Sequence, residues 1–418
     1  MPRRYLVVAA TFGLSLLLYI DRVCISTAKG PIVEDLGLTD REFGWVLSAF
    51  AFGYALLQTP SGAMADRLGA RRVLTAVVTA WSVFTGLTAV AWNFVSLLVV
   101  RFLFGAGEAG AFPGMARTVF AWIPVRERGL VKGINFSASR LGAAATMPLL
   151  PMLIAAVGWQ LSFLLLMLVG FGWAAAWWWW FRDEPADHPG ITPGELAYIT
   201  AHRQGGGPAG DAPPLPFTRL LASGNMWLVM LQYFGSNFTF FFCLSWLFPY
   251  VQRTYNLGYT EAGFYTMIPL LGGAAGNLVS GGLVDALYRS GRTALSRRGP
   301  AIIGFALAGV GLVGSVGQDS VWGAVFWLTV AVFGADMTLS PSWSFCIDLG
   351  GAHAGKVSGT MNMAGNIGSA VVSIAFPYLL AWTGGPEAFF YVGAGLNAVA
   401  ILCWILANPA KPLTPAVP

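Results

Sequence analysis

Long apolar runs separated by short polar gaps fill this chain almost from its first residues, and they constrain the fold more than any motif does. Each run is close to the ~20 residues that an α-helix needs to cross a hydrocarbon layer of ~30 Å. The runs predict twelve helices, near 5–27, 42–65, 73–91, 94–121, 130–152, 160–180, 225–251, 260–287, 300–317, 321–346, 356–380 and 387–407. Composition closes off the soluble alternative. Only 10% of the residues are charged and 56% are hydrophobic, whereas soluble domains carry about 25% charged residues. So few charges could not cover a water-exposed surface, so most of the apolar surface must face lipid.

The stretch 182–222 is the long polar interruption, with Asp183, Glu184, Asp187, Glu195 and a low-complexity run from Gln204 to Pro216. It divides the chain into an N-terminal six-helix bundle (1–181), a linker (182–222) and a C-terminal six-helix bundle (223–418). Two such halves suggest parallel structural repeats meeting around a midplane site. Loop charge sets the orientation. With both termini cytoplasmic, that side receives nearly all of the basic residues and the opposite side only Lys29, Arg41 and Arg253, as the positive-inside rule requires. The net charge of +5 is therefore loop charge and gives no reason to expect nucleic acid. The N-terminal run ends in Ile20-Asp21-Arg22 without a small-residue cleavage site, so it reads as a retained first helix. Four scattered cysteines and three histidines form no CxxC pair and no ligand cluster, which predicts neither a disulfide framework nor a metal or cofactor. Glycines cluster inside the predicted helices, as in Gly105, Gly107 and Gly110 or Gly272, Gly273 and Gly276, where small residues let backbones approach closely.

Between the second and third predicted helices runs Gly62-Ala63-Met64-Ala65-Asp66-Arg67-Leu68-Gly69-Ala70-Arg71-Arg72. It resembles, position for position, the GxxxDRxGxRR loop of the major facilitator superfamily. Gly62, Asp66, Arg67, Gly69, Arg71 and Arg72 are thereby candidates for a gating loop, with Asp66 placed to pair with arginines and a neighbouring helix end. A degraded copy, Gly281 to Asp285 with Arg289 and Arg292, falls between the eighth and ninth predicted helices. Within that superfamily the chain resembles the anion:cation symporter family, which includes bacterial sugar-acid and hexuronate transporters, animal sialin and vesicular glutamate carriers. Tyr19-Ile20-Asp21-Arg22, Arg101-Phe102-Leu103-Phe104-Gly105-Ala106-Gly107-Glu108-Ala109-Gly110 with Pro113, and His188-Pro189-Gly190-Ile191-Thr192 with Glu195 carry that resemblance. It implies an all-α fold of twelve transmembrane helices in two pseudo-symmetric bundles, in a bacterial-type inner membrane.

Asp21, Arg22, Arg101, Glu108, Arg140 and Asp336 lie inside apolar stretches. A charge there costs at least ~2.5–3.5 kcal/mol, so by default it faces a cavity and has a task. Arg101 and Glu108 are seven residues apart, hence on one face but about 10 Å apart along the axis, too far to pair directly. Each needs a partner from another helix or from a ligand. A carboxyl in a dehydrated cavity holds its proton, and a nearby arginine opposes this. An anion that engages the arginine would release the carboxyl to take a proton. The resemblance implies the same division of labour: Asp21 and Glu108 carry protons, and Arg22 binds the substrate carboxylate. Arg101 is assigned to coupling or substrate contact. Arg140 could bind a second anionic group or pair with Asp336, and the structural pair is slightly favoured.

Tyr19 and Tyr54 match family positions that line the site. Asn237, Ser340, Ser342, Trp343, Asn362 and Asn366 could hydrogen-bond substrate hydroxyls, the last two from one helical face. Trp177 to Trp180 mark the end of the sixth helix as an aromatic belt, with no substrate role. These features predict a monomeric, proton-coupled symporter of a small organic anion, a sugar acid or related carboxylate, surrounded by membrane lipid. An organophosphate or drug antiporter is the alternative. The absence of a mid-membrane arginine from the seventh to twelfth predicted helices counts against a phosphate carrier. No Ser/His/Asp or metal-ligand constellation suggests an enzyme.

Overall fold

The computed structural model describes residues 2–124, 127–202, 216–350 and 354–408, and every regular element among them is helical. The chain divides into two compact units, Met1–Gly206 and Gly207–Pro418. The first holds α1 (Arg3–Thr27), α2 (Lys29–Leu36), α3 (Asp40–Leu68), α4 (Ala70–Thr88), α5 (Phe94–Glu108), α6 (Ala111–Trp122), α7 (Arg128–Trp180) and α8 (Pro193–His202). The second holds α9 (Phe217–Leu221), α10 (Gly224–Ser245), α11 (Leu247–Thr254), α12 (Tyr259–Arg289), α13 (Thr293–Gly314), α14 (Val321–Met337), α15 (Leu339–Gly350), α16 (Ala354–Thr383) and α17 (Glu387–Leu406).

Eight stretches of the described residues are long and apolar enough to cross a membrane. One of them, Gly133–Trp180, is 48 residues long and turns at Gly158 (φ 81°), so it serves the fifth and sixth predicted spans. The remaining predicted spans are occupied by α3, α4 and α13, which are helical but diluted by polar and charged residues.

Several predicted single helices are broken, and proline explains where. Thr27 ends α1, Ala109 caps α5, Ser245 ends α10 and Met337 ends α14. Each stands four residues before a proline: Pro31, Pro113, Pro249 and Pro341. A proline cannot donate to the carbonyl four residues back, and its ring crowds that carbonyl. The spans predicted at 94–121, 225–251 and 321–346 are thus each two helices meeting at a turn. Proline is not sufficient by itself, since Pro60, Pro148, Pro151 and Pro269 lie inside unbroken helices. Two helix starts carry a local side-chain cap. Thr39 and Glu42 form a reciprocal capping box at α3, and Asn93 with Ser96 does the same at α5.

The same neighbours recur in both units. In the first, α1 packs on α7, α3 on α5, and α4 on α5 and α7; in the second, α10 packs on α16, α12 on α14, and α13 on α14 and α17. Small residues set these spacings. A Cβ at Gly105 would strike the Phe50 carbonyl and one at Gly53 the Phe102 carbonyl, so α3 and α5 touch backbone to backbone. Gly276 lies in the same way on the Phe333 backbone between α12 and α14.

Candidate functional site

The buried charges of the first unit converge. Asp21 and Arg22 come from α1, Arg101 and Glu108 from α5, and all four are buried. The turn at Ala109–Gly110 makes Glu108 the last residue of α5. The Arg22 guanidinium forms an ion pair with Glu108, its Nε donating to Oε1. This is the cross-helix partner that the spacing of Arg101 and Glu108 demanded, and it comes from α1. Aromatic rings enclose the guanidinium: Tyr54 at 4.7 Å, Tyr19 at 5.0 Å, Phe50 at 5.3 Å and Phe112 at 6.0 Å. Ring faces attract the cation and exclude water from it. Tyr19 and Tyr54 fall where the sequence placed them. Phe50 and Phe112 were missed, although Phe50 lies four residues from Tyr54 on one face of α3; Phe112 follows the turn after Glu108, at the start of α6, where helical spacing gives no guide.

The second acid is held differently. Asp21 accepts a hydrogen bond at Oδ2 from the Trp81 indole of α4 across 3.1 Å. Arg101 packs its guanidinium on Phe104 at 4.3 Å and Phe50 at 5.4 Å, within electrostatic reach of Asp21 and Glu108. Arg140, on α7, places its guanidinium 5.6 Å from the Tyr19 ring. Among the described residues, Asp21 Oδ1, Glu108 Oε2 and Arg101 Nε are buried without a hydrogen-bond partner, as is Arg22 Nη2, which the ion pair with Glu108 nonetheless serves. Native interiors leave few such atoms unsatisfied, so a cluster of them calls for an explanation. Two open carboxylate oxygens beside two guanidiniums can take protons or exchange partners with an arriving anion.

The second unit brings polar groups together without comparable charge. Gln232 is the hub, its Oε1 accepting from Ser342 Oγ and Trp404 Nε1, both at 3.2 Å. Ser236 and Thr338 share a hydrogen bond of 2.9 Å, and Asn397 donates to Thr239 at 2.9 Å. Ser342 is fully buried, its hydroxyl shared between Gln232 on another helix and the Thr338 carbonyl four residues back at 2.6 Å. Trp343 donates to the Tyr233 hydroxyl at 3.2 Å, and Asn237 to the Tyr233 carbonyl at 2.9 Å. Asn366 bonds the Asn362 carbonyl at 2.9 Å, which orders both on α16. Asn237, Ser340, Trp343 and Asn362 are half-buried. Asp336 is buried and set against Gly273, where a Cβ would meet its carboxylate. Gln232 carried no sequence signal beyond being a polar residue in an apolar run.

The motif predicted as a loop forms the end of α3 and the start of α4, joined by Gly69 alone; the surroundings of Gly62 and the side chains of Asp66 and Arg67 lie outside the described residues. The rest of the motif is tied to the end of α7. Gly69 takes a left-handed φ of 82°, and a Cβ there would run into the Asp183 carboxylate. Asp183 accepts from the Arg71 backbone N–H at 2.9 Å, at the start of α4. Arg71 donates through Nε to the Trp178 carbonyl at 2.9 Å and lies 4.4 Å over its ring. Arg72 is exposed. Trp178, read as part of an aromatic belt, is thus also an anchor. The weaker copy in the second unit has only an exposed contact of 4.0 Å between Asp285 and Arg289.

His188 is wedged between Trp122 and Trp180, with Gly190 N–H donating to its Nδ1 at 3.0 Å. Burial, and then the charges of Arg3 and Arg182, hold its pKa below the usual value. Glu195 receives the backbone N–H groups of Arg3 and Arg4, both at 2.9 Å, and so caps α1. All four cysteines are free and buried, and no cluster able to hold a metal occurs among the described residues.

Comparison with known proteins follows the same lines. A model described as Major Facilitator Superfamily matches residues 11–373. The probable sulfoacetate transporter SauU of Cupriavidus necator is 33% identical over 407 residues, covering 97% of this chain and 94% of its own. The probable galactarate/D-glucarate transporter GarP of Escherichia coli K12 is 30% identical over 421 residues, covering 96% and 94%. Among solved structures, a bacterial homologue of the human lysosomal transporter Spinster, inward-facing and occupied, matches with a TM-score of 0.75 at 18% identity and covers 97% of each chain, a likeness of fold.

Proposed function

The chain belongs to the major facilitator superfamily, is integral to the membrane and is a transporter rather than an enzyme, and from that premise we propose that it is a proton-coupled symporter of a small organic anion. A sugar acid or related carboxylate is the substrate class. The relatives named for sulfoacetate and for galactarate and D-glucarate support an organic anion.

The observation that carries the reading is the enclosed pair of Arg22 and Glu108. An arginine shut away from water needs an anion. Glu108 supplies one from within the protein, and a substrate carboxylate can take its place on the guanidinium as a two-pronged ligand. Glu108, once displaced, is a buried carboxylate without a counter-charge, and taking a proton removes that charge. One carboxylate and one proton entering together leave the net charge of the site unchanged. Each therefore favours the binding of the other, and by linkage the preference is reciprocal. Asp21 is the second proton carrier, and Arg101 keeps the field around both acids positive. Tyr19 and Tyr54 wall the anion subsite. Arg140, the half-buried polar residues Asn237, Ser340, Trp343 and Asn362, and the buried Asn366 are the candidates for the rest of the substrate.

Alternating access would carry the loaded site from one face to the other in a bacterial-type inner membrane. Loop charge supports cytoplasmic termini, and the transporter is read as a monomer. The test is uptake into proteoliposomes from a panel of labelled organic acids, with and without an inward proton gradient. Accumulation of one or more sugar acids that requires the gradient is the expected result. Uptake indifferent to the gradient, or driven only by sodium, would overturn proton symport.

A further inference from the structure

Trp81 touches one of the two acids, Asp21, without belonging to any motif. It lies on α4 with no exposed surface, and its indole N–H donates to Asp21 Oδ2 across 3.1 Å. Oδ1 of the same carboxylate is buried and has no hydrogen-bond partner among the described residues. Two helices close on this residue, one at its backbone and one near its ring. Gly107 lets α5 lie against the α4 backbone at Ala80 and Trp81, and Gly170 lets α7 close on Ser82, within 4.0 Å of the indole nitrogen by the measure of an added Cβ. A buried indole N–H needs an acceptor. The volume alone could be filled by an apolar ring, so the N–H is the part of this side chain that the site uses.

We propose that Trp81 is a positioning residue for ion coupling: its N–H fixes Asp21 Oδ2 and the plane of the carboxyl, leaving Oδ1 as the atom that takes and gives up the proton. This rests on the proton-coupled reading above. The step is a simple protonation. One proton adds to Oδ1, one O–H bond forms, the carboxylate charge falls to zero, and no other bond changes. The same asymmetry holds at Glu108, where Arg22 engages Oε1 and Oε2 is open. Each acid has one anchored oxygen and one free one, but the anchor on Glu108 can be drawn off by substrate. The anchor on Asp21 is a neutral N–H that an anion cannot take away. Trp81 thereby keeps Asp21 in place while Glu108 changes partners.

Trp81→Phe in proteoliposomes is the test, read by gradient-driven accumulation and by counterflow exchange, which needs no net proton movement. Accumulation is expected to fall about tenfold, the effect of one lost hydrogen bond to a charged group, with exchange retained. On an Asp21→Asn background the same substitution should add nothing further, as a shared step requires. Equal accumulation by Trp81→Phe and the parent protein, or losses that simply multiply in the double variant, would overturn the proposal. If Trp81→Phe loses exchange as well, β-benzothienylalanine at position 81 keeps the shape and removes only the N–H. Its failure to accumulate supports the assignment, and parental behaviour overturns it. A parent protein that never accumulates substrate under a proton gradient would instead sink the symport reading itself.

Discussion

Between α1 and α5 the first unit buries two carboxylates and two guanidiniums, ringed by Tyr19, Phe50, Tyr54 and Phe112. Between α10 and α14, the equivalent pair by helix packing, the second unit places Ser236 against Thr338, with Gln232, Ser342 and Trp404 alongside. The helix pairings match while the interior chemistry does not. A neutral hydrogen bond between membrane helices contributes about 0.6 kcal/mol and neither titrates nor attracts an ion. An ion pair shut away from water is different, because either partner can be replaced only by another charge or by a proton. On the proposed reading the first unit exchanges ions, and the second holds shape and offers uncharged donors and acceptors. Asp336 qualifies the contrast by bringing a buried acid to the second unit.

Substitutions on each side can break or sharpen this contrast. The largest effect is expected from Glu108→Gln, which should reduce gradient-driven accumulation to the gradient-free level while counterflow stays within about twofold of the parent, since an amide cannot titrate but can still leave Arg22. Retained accumulation would remove Glu108 from coupling. Gln232→Leu should do the reverse. It leaves the Ser342 hydroxyl and Trp404 indole without their shared acceptor, lowers stability in detergent by about 1–3 kcal/mol, and leaves the proton:substrate ratio unaltered. A changed ratio would end the division between the units.

A smaller effect separates the two loop copies. Asp183→Asn weakens the tie to the start of α4 and should slow transport with a stability loss of about 1 kcal/mol. Asp285→Asn, in an exposed contact, should alter neither transport nor stability measurably. The smallest effect concerns pH. His188 has a folded pKa below its unfolded value, so the unfolded chain binds the extra proton first. Its contribution is fully present above about pH 6.5 and is lost as pH falls from there towards the depressed folded value. Thermal unfolding in detergent should become less pH-dependent below that point in His188→Gln.

The helices were legible because lipid imposes a length on each apolar run, and the loop motif at Gly69 to Arg72 marked a real anchor. Their breaks were less so. Pro113, Pro249 and Pro341 interrupt apolar runs that look continuous to hydropathy, while Pro148 and Pro151 do not, and only packing decides between them. In the candidate site, charges inside apolar stretches identified Asp21, Arg22, Arg101 and Glu108 by the expense of burying them. Spacing showed that Arg101 could not serve Glu108. Which residue does is a tertiary fact, as is the indole of Trp81 sixty positions from Asp21. Neutral partners such as Gln232 stay hidden because an amide in a helix carries no penalty large enough to stand out.

The central claim is that the Arg22–Glu108 pair exchanges its carboxylate for substrate and a proton together. Proteoliposomes loaded with a pH-sensitive dye, without an imposed proton gradient and with a permeant counter-ion, report this directly when a transported organic acid is added outside. The account predicts acidification of the lumen that tracks substrate entry and disappears in Glu108→Gln. Substrate entry with no change in lumenal pH, or acidification that persists in Glu108→Gln, would contradict it.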